Sequence, residues 1–449
     1  ANVTAVDGTP LQKLDVELEA PAKLAAWVDG FSAPSAANLD GFEYRLKTPQ
    51  GAANPVFIGL ASAPVITEQE PNNQSAKAQK VAVPCEIAGQ FFPAGDVDAY
   101  TFDAKKGEVW RIEVLSDRLG LPTNPFLLVE RDGAPAQEIY ASEANVGTPR
   151  FSTLNNDPST RLEVKDDGAY RVQVRDLFGA SRSDPRCVYR LSIHRDSPSF
   201  RLAAVVEPPP EKKDDRAAAP RPALLREAGT IAIRVVAFRR DGFAGDIEIS
   251  AEGLPAGVKC LPAKILAGKD DAYLLLTADE KAARWIGAIR VIGKARIGDT
   301  DVTQEARGGS VVWTVADFNN DAARARLTRD FVLAVGSTEP APITVQAAEE
   351  KVWEVASGGK LEIPLKITRR GEFKEALKLS AAGAAAIDKA KEIDVDPKAE
   401  KVTATIDLAA TKLPAGEHTI YFQALTKGKI RGKDATTNIF SAPLRVSVK

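Results

Sequence analysis

The chain has 449 residues, 44% of them hydrophobic, with 59 basic against 61 acidic side chains and a formal net charge of -2. That length predicts about three domains, and the apolar fraction is enough to build their cores. Balanced charge excludes the electrostatic footprint that nucleic acid or an anionic membrane surface demands, and no apolar run approaches the roughly 18–20 residues of a membrane span. Met is absent throughout. Ala1 therefore reads as a processed or cut end, and the lack of a leader there says nothing against export.

Taken in chain order, the first strand-like segments are Phe42–Gly51 and Asn54–Leu60. An acidic run follows, holding Glu68, Glu70, Asn72 and Asn73, and after a strand-like stretch opened by Cys85 come Asp96 and Asp98. Asp98 runs directly into the alternating Tyr100 and Phe102, so Asp96 and Asp98 face one way if the strand starts early. Clustered carboxylates repel unless something offsets their charge, and calcium, which takes six to eight oxygen ligands, is one such thing. Asn-Asn and Gly-Asp are also turn formers. A polar turn without metal explains the same residues, and both readings stand at this point.

Cys85 and Cys187 each open a strand pattern. If those strands are neighbours, a bridge between the two would close a loop of about 100 residues, worth roughly 4–5 kcal/mol in the chain-entropy model. The other reading is a pair of buried free thiols. Cys260, next to the Gly253–Val258 turn, reads as a small core residue.

Further along, Thr230–Phe238, Ala272–Thr277 and Lys401–Leu408 are β-branched or alternating runs bounded by Gly, Pro, Asn and Asp, the pattern of strands separated by turns. Ile231–Gly253 aligns without gaps to Leu361–Gly383, with Arg239 on Arg369, Arg240 on Arg370, Phe243 on Phe373 and Ser250 on Ser380, an offset of 130 residues. Upstream, Phe200–Val205 echoes Phe331–Val335. Two copies of one module of about 110–120 residues are expected, the size of an immunoglobulin-like sandwich. In each copy the twin Arg reads as a solvated hairpin turn whose Phe plugs the core. Residues 207–222 are Pro-rich and charged, hence an exposed excursion, and residues 317–328 read as the linker between copies. Helical periodicity is confined to Ala381–Lys391, at most one short helix. The fold class is all-β, as tandem β-sandwich modules.

With these residues in place, 65–197 resembles the bacterial pre-peptidase C-terminal domain. The family pattern stands here as Glu70-Pro71-Asn72, Gly89, Asp96 and Asp98 followed by Tyr100 and Phe102, then Lys106, Gly107 and Trp110, Gly168 with Tyr170, and Tyr189 with Leu191. The resemblance implies a non-catalytic, jelly-roll-like β-sandwich of secreted proteins, often beside a protease or other hydrolase. Collagen-binding modules of bacterial collagenases look like relatives, and they bind calcium through the corresponding acidic clusters. Carried over, the implied ligands of a structural calcium are Glu68, Glu70, Asn72, Asn73, Asp96 and Asp98, with Asn73 departing from an expected acid. Residues 1–64 are similar to the closing strands of a transcription-factor-type immunoglobulin-like (TIG/IPT) module. Residues 198–316 and 329–449 look like immunoglobulin-like repeats of bacterial surface proteins.

Catalytic chemistry needs convergent groups, and few exist. The two His, His194 and His418, fall in different expected modules, whereas a Ser-His-Asp or Cys-His arrangement needs one of them beside a nucleophile. No Gly-rich phosphate loop, nucleophile elbow or zinc spacing occurs. Trp27, Trp110, Trp285, Trp313 and Trp353 fall about one per module, as core residues do. The sequence thus reads as a non-catalytic, extracytoplasmic (secreted, periplasmic or cell-surface) spacer, adhesion or assembly scaffold whose partner is a protein or polysaccharide at the cell surface. The alternative is an accessory region of a secreted hydrolase whose catalytic domain lies outside this chain.

Overall fold

The computed structural model describes residues 2–4, 10–12, 16–21, 32–48, 51–131, 134–141, 145–209, 216–218, 223–315, 323–336, 340–384, 386–430 and 432–449. Strands dominate, as the alternating sequence requires, and the elements form two compact units. The first comprises Ala1–Asn145, Thr153–Ser199 and Arg240–Gly242; the second comprises Val146–Ser152, Phe200–Arg239 and Phe243–Lys449.

In the first unit two five-stranded sheets face each other across a core. One runs Gln137–Ile139, Pro125–Arg131, Gly168–Asp176, Asp98–Ala104, Gln79–Lys80; the other runs Ser159–Glu163, Val109–Leu115, Val188–His194, Cys85–Gln90, Val65–Thr67. Period-two alternation sends Tyr100, Phe102 and Ala104 inward while Asp103 points to solvent. Tyr100, Phe102, Ile87, Ile112, Leu127, Leu191 and Ile193 are fully buried between the sheets. Before this sandwich, described residues form only short pairings, such as Gly41–Tyr44 with Val56–Gly59 and Lys47–Thr48 with Gly51–Ala52. Trp27 lies outside the described residues.

The bridge between Cys85 and Cys187 does not form; both are buried free thiols. Cys85–Gln90 and Val188–His194 are indeed neighbours, but they run antiparallel, with Cys85 opposite Ile193 and Val188 opposite Gln90. Cys187 therefore sits six residues down the ladder from Cys85's partner, about 20 Å away, where a disulfide needs Cα atoms within roughly 7 Å. Burial, then the adjacent Glu86, pushes the Cys85 thiol up to about 11. Ellman titration of the unreduced, denatured chain is expected to count three thiols; a count of one would restore the bridge.

The second unit holds the two repeats. In the first, Thr230–Arg240 pairs with Asp271–Ala278 and Ile247–Glu252 with Trp285–Ile297; in the second, Lys360–Arg369 pairs with Lys401–Asp407 and Leu377–Ala382 with Gly416–Ile430. Each repeat also closes with a strand held parallel to a short edge strand. Phe331–Val335 lies along Ala223–Leu225, and Leu444–Val448 along Val352–Val355.

This pairing moves the expected boundary at 329. Phe331–Val335 is the closing strand of the first repeat, antiparallel to Trp285–Ile289, and Phe331, Leu333 and Val335 belong to that repeat's core. The second core begins at Ile343. The likeness of Phe200–Val205 to Phe331–Val335 reflects shared strand composition, since Ser199–Val205 neighbours Thr230–Arg240 while Phe331–Val335 pairs on the other sheet. Within the expected linker, Arg324–Thr328 is a strand paired with Arg307–Val315. Within the expected excursion, Arg216–Ala218 pairs with Trp313–Val315, and residues 210–215 and 219–222 lie outside the described residues. The short helix expected in Ala381–Lys391 is a single 3-10 turn, Ile387–Lys389.

Phe243 and Phe373 are buried in their cores. The first Arg of each twin pair is not simply solvated. Arg239 donates to the carbonyls of Gly245, Leu266 and Lys269 at 2.6, 2.9 and 3.1 Å, and Arg369 donates to those of Phe373 and Asp396, both at 3.4 Å. Each ties its hairpin to the next turn. The two repeats meet at a small apolar cluster of Ala232, Leu275 and Tyr421, joined by Tyr273 and Phe440.

Candidate metal centre

The acidic residues reach one place because strand pairing delivers them. Val65–Thr67 runs parallel to Cys85–Gln90, and the ladder continues as Glu68 N–H donates to the Ala88 carbonyl at 3.0 Å. Glu68 thereby emerges at a strand end, where Oε2 accepts from Gln90 N at 2.8 Å. The chain then turns: Glu70 Oε2 accepts from Asn72 N at 2.8 Å, and the Asn72 carbonyl accepts from Ala99 N at 3.2 Å. That last bond ties the turn to the start of Asp98–Ala104. A second turn, with Gly95 left-handed at φ 80°, aims Asp96. Its Oδ1 accepts from Val97 N at 3.1 Å and from Asn73 Nδ2 at 2.8 Å, and its Oδ2 accepts from Phe92 N at 3.1 Å. Asp98 opens its strand opposite Val174.

One carboxylate oxygen from each of Glu68, Glu70, Asp96 and Asp98 lies within 4.8 Å of the others. None of the four makes an ion pair with a described Lys or Arg. Asp98 is fully buried, and neither of its oxygens accepts a hydrogen bond; Glu68 Oε1 and both amide atoms of the fully buried Asn72 are also unpartnered. Asn73 is exposed and uses its amide nitrogen to brace Asp96. Four of the six sequence candidates thus converge, Asn72 is buried in the same turn, and Asn73 stands outside as a support.

Asp157, in the same unit, shows what a satisfied buried carboxylate looks like. It is as buried as Asp98, yet it accepts from the N–H groups of Ser116, Asp117 and Arg118 and from Arg118 Nε at 2.8 Å. Asp98 has no such set, and an uncompensated buried charge is costly. Burial raises Asp98 to about 10, followed by the effect of Glu68 and then of Asp96. Burial also raises Asp96 to about 6, with Glu70 and then Glu68 adding to it. The donor set is all oxygen, with carboxylates and an amide and no His or Cys, which matches a hard divalent cation. The residues present fit calcium.

Beneath the cluster lies a feature the sequence reading missed. Tyr100 from one sheet and Tyr189 from the other bring their hydroxyls to 2.6 Å of each other, both buried. The signals were the same-face spacing of Asp98 and Tyr100, and Gly89 opposite Tyr189. A Cβ at residue 89 would sit 2.4 Å from the Tyr189 hydroxyl oxygen.

Each of the two histidines sits in a hydrogen-bonded setting of its own. Ser192 Oγ lies 3.0 Å from His194 Nδ1, and His194 Nε2 lies 3.3 Å from Asp241 Oδ2. The order resembles a catalytic triad, but Ser192 is only 5% exposed. His418 Nε2 donates to the Pro414 carbonyl at 2.7 Å on the surface.

No protein-family model and no curated protein matches the chain. Among solved structures, similarity extends to the pre-peptidase C-terminal domain of a collagenase from Bacillus anthracis, at 18% identity, 28% of this chain, 99% of that chain and a TM-score of 0.20. A DUF4785 family protein from Legionella pneumophila matches at 7% identity over 85% of this chain and 98% of that one, with a TM-score of 0.16. A protein of unknown function from Porphyromonas gingivalis W83 matches at 9% identity over 55% and 99%, with a TM-score of 0.15. Likenesses this distant carry no function. No helix among the described residues is long and apolar enough to cross a membrane.

Proposed function

We propose that this chain is a non-catalytic, extracytoplasmic scaffold or spacer whose first sandwich is stiffened by one structural calcium. The ion is held by Glu68, Glu70, Asp96 and Asp98, with the Asn72 amide oxygen completing the set. The observation that carries this reading is Asp98, a fully buried carboxylate with both oxygens unpartnered and three further carboxylates gathered beside it. The ion supplies the positive charge that the protein omits. It joins the end of Val65–Thr67, the Glu70–Asn73 turn and the start of Asp98–Ala104, so binding cross-links three segments. The resemblance of 65–197 to pre-peptidase modules supports the extracytoplasmic part of the reading.

Isothermal titration of the full chain with calcium, paired with unfolding scans in calcium and in EDTA, tests it. One ion per chain is expected. Calcium at 100 times its Kd should stabilise the first unit by about 2.7 kcal/mol. No heat at millimolar calcium and no shift of the unfolding temperature on chelation would exclude the site.

A further inference from the structure

The cation site rests on a pair of hydroxyls that its ligand set does not include. Tyr100 and Tyr189 have two phenolic protons between them, and their mutual hydrogen bond at 2.6 Å uses one. The other must find an acceptor inside the core, since Tyr100 is 0% and Tyr189 2% exposed. Asp98 is the neighbouring acceptor. It lies two residues before Tyr100 on the same inward face of its strand. In this geometry neither Asp98 oxygen accepts a hydrogen bond, so both stand open to that proton.

The fold places Tyr189 with some care. Its ring stacks on Phe91 with centroids 4.7 Å apart. It also lies across Gly89, where a Cβ would come within 2.3 Å of the ring. The phenol is thus pinned on two sides, with its hydroxyl pointed at the Tyr100 hydroxyl.

Building on the calcium reading, we propose that Tyr100 and Tyr189 form a positioning relay for the cation site, in which Tyr100 donates to Tyr189 and Tyr189 donates to the Asp98 oxygen that the cation does not take. The relay fixes the carboxylate's rotation and supports its charge once the ion is bound. Outer partners of this kind typically change metal affinity 10–100-fold. Neither Tyr touches the ion; both act through Asp98.

The test compares wild type, Tyr189→Phe and Tyr100→Phe in the full chain. Calcium affinity is read by titration, apo stability by unfolding in EDTA, and coordination by terbium luminescence lifetimes in H2O and D2O. Tyr189→Phe is expected to weaken calcium about 10–100-fold and to add a water to bound terbium, because Asp98 is released. Tyr100→Phe, one link further away, should weaken binding less. Packing loss alone would lower the apo unfolding temperature without changing the terbium water count. If wild type binds calcium and Tyr189→Phe binds equally well with an unchanged lifetime, the relay is overturned while the calcium site stands. If wild type binds neither ion, the calcium reading itself fails. Should Tyr189→Phe not fold, Tyr100→Phe carries the same comparison, and an unchanged affinity and lifetime there overturn the relay.

Discussion

Asp98→Asn is expected to abolish calcium binding and, in EDTA, to raise the unfolding temperature of the first unit. The two effects have one cause. In the absence of a cation the folded chain holds Asp98 fully buried with no partner for either oxygen, and its pKa of about 10 means that the neutral acid is the form the core tolerates. Folding at neutral pH therefore requires taking up a proton, a cost on the order of a few kcal/mol by linkage. Asn is neutral at every pH and has nearly the shape of the protonated acid, so the variant avoids that step. A gain of this size corresponds to roughly 5 °C or more for a unit of this length. The same change at Asp157 should act in the opposite direction. Asp157 is equally buried but holds Arg118 at 2.8 Å, and removing one partner of a buried pair costs about 3–5 kcal/mol. Calorimetric scans of both variants in EDTA and in calcium decide the matter. If Asp98→Asn falls in EDTA as Asp157→Asn does, Asp98 is a structural acid and the metal site is wrong.

Local pattern made much of this legible in the sequence. Alternation at Asp98–Ala104 and at Val188–His194 marks strands because a sheet with one buried face admits only period two. The repeat was visible where Arg239 and Arg369 sit in matching hairpins, because both must reach the carbonyls of the next turn. Position within a ladder was not legible. Cys85 and Cys187 both open strands, and only antiparallel register puts them at opposite ends. Phe331–Val335 reads like the start of a module, and only its pairing with Trp285–Ile289 makes it the end of one. The carboxylate cluster could be proposed from residue types, but sequence does not report satisfaction. Asp157 and Asp98 look alike in the chain, and hydrogen-bond partners alone separate the acid that holds an Arg from the acid left open. The hydroxyl pair of Tyr100 and Tyr189 was hidden for a related reason, since it joins two sheets across 89 residues of chain.

The calcium-dependent part of stability should grow with pH, and its sign follows from the two raised carboxylates. Asp96 at about 6 and Asp98 at about 10 both stand above the 3.8 of an unperturbed Asp. Between 3.8 and its folded pKa each group binds more protons folded than unfolded, so apo stability contributed here is fully present below about pH 4. It is lost as pH rises, through both groups up to about 6 and through Asp98 alone up to about 10. Groups with depressed values work the other way. Asp184, held at about 2 chiefly by the Arg186 hydrogen bond, contributes stability above its unfolded pKa that is lost progressively as pH falls from about 4 through about 2. An apo profile alone mixes these contributions, whereas the difference between calcium and EDTA cancels those remote from the site. Calcium needs the ionised carboxylates and displaces their protons. Its affinity should therefore be weak near pH 4.5, where Asp96 and Asp98 are both protonated in the apo form, and should climb steeply through pH 6. Above that the climb continues more gently, as Asp98 alone still gives up a proton on binding. Titration calorimetry at pH 7 in buffers of different ionisation enthalpy should detect about one proton released per calcium, against about two near pH 5. An affinity and a calcium-induced unfolding shift that stay level from pH 4.5 to 8, with no proton release, would mean that the ion does not compete for Asp96 and Asp98.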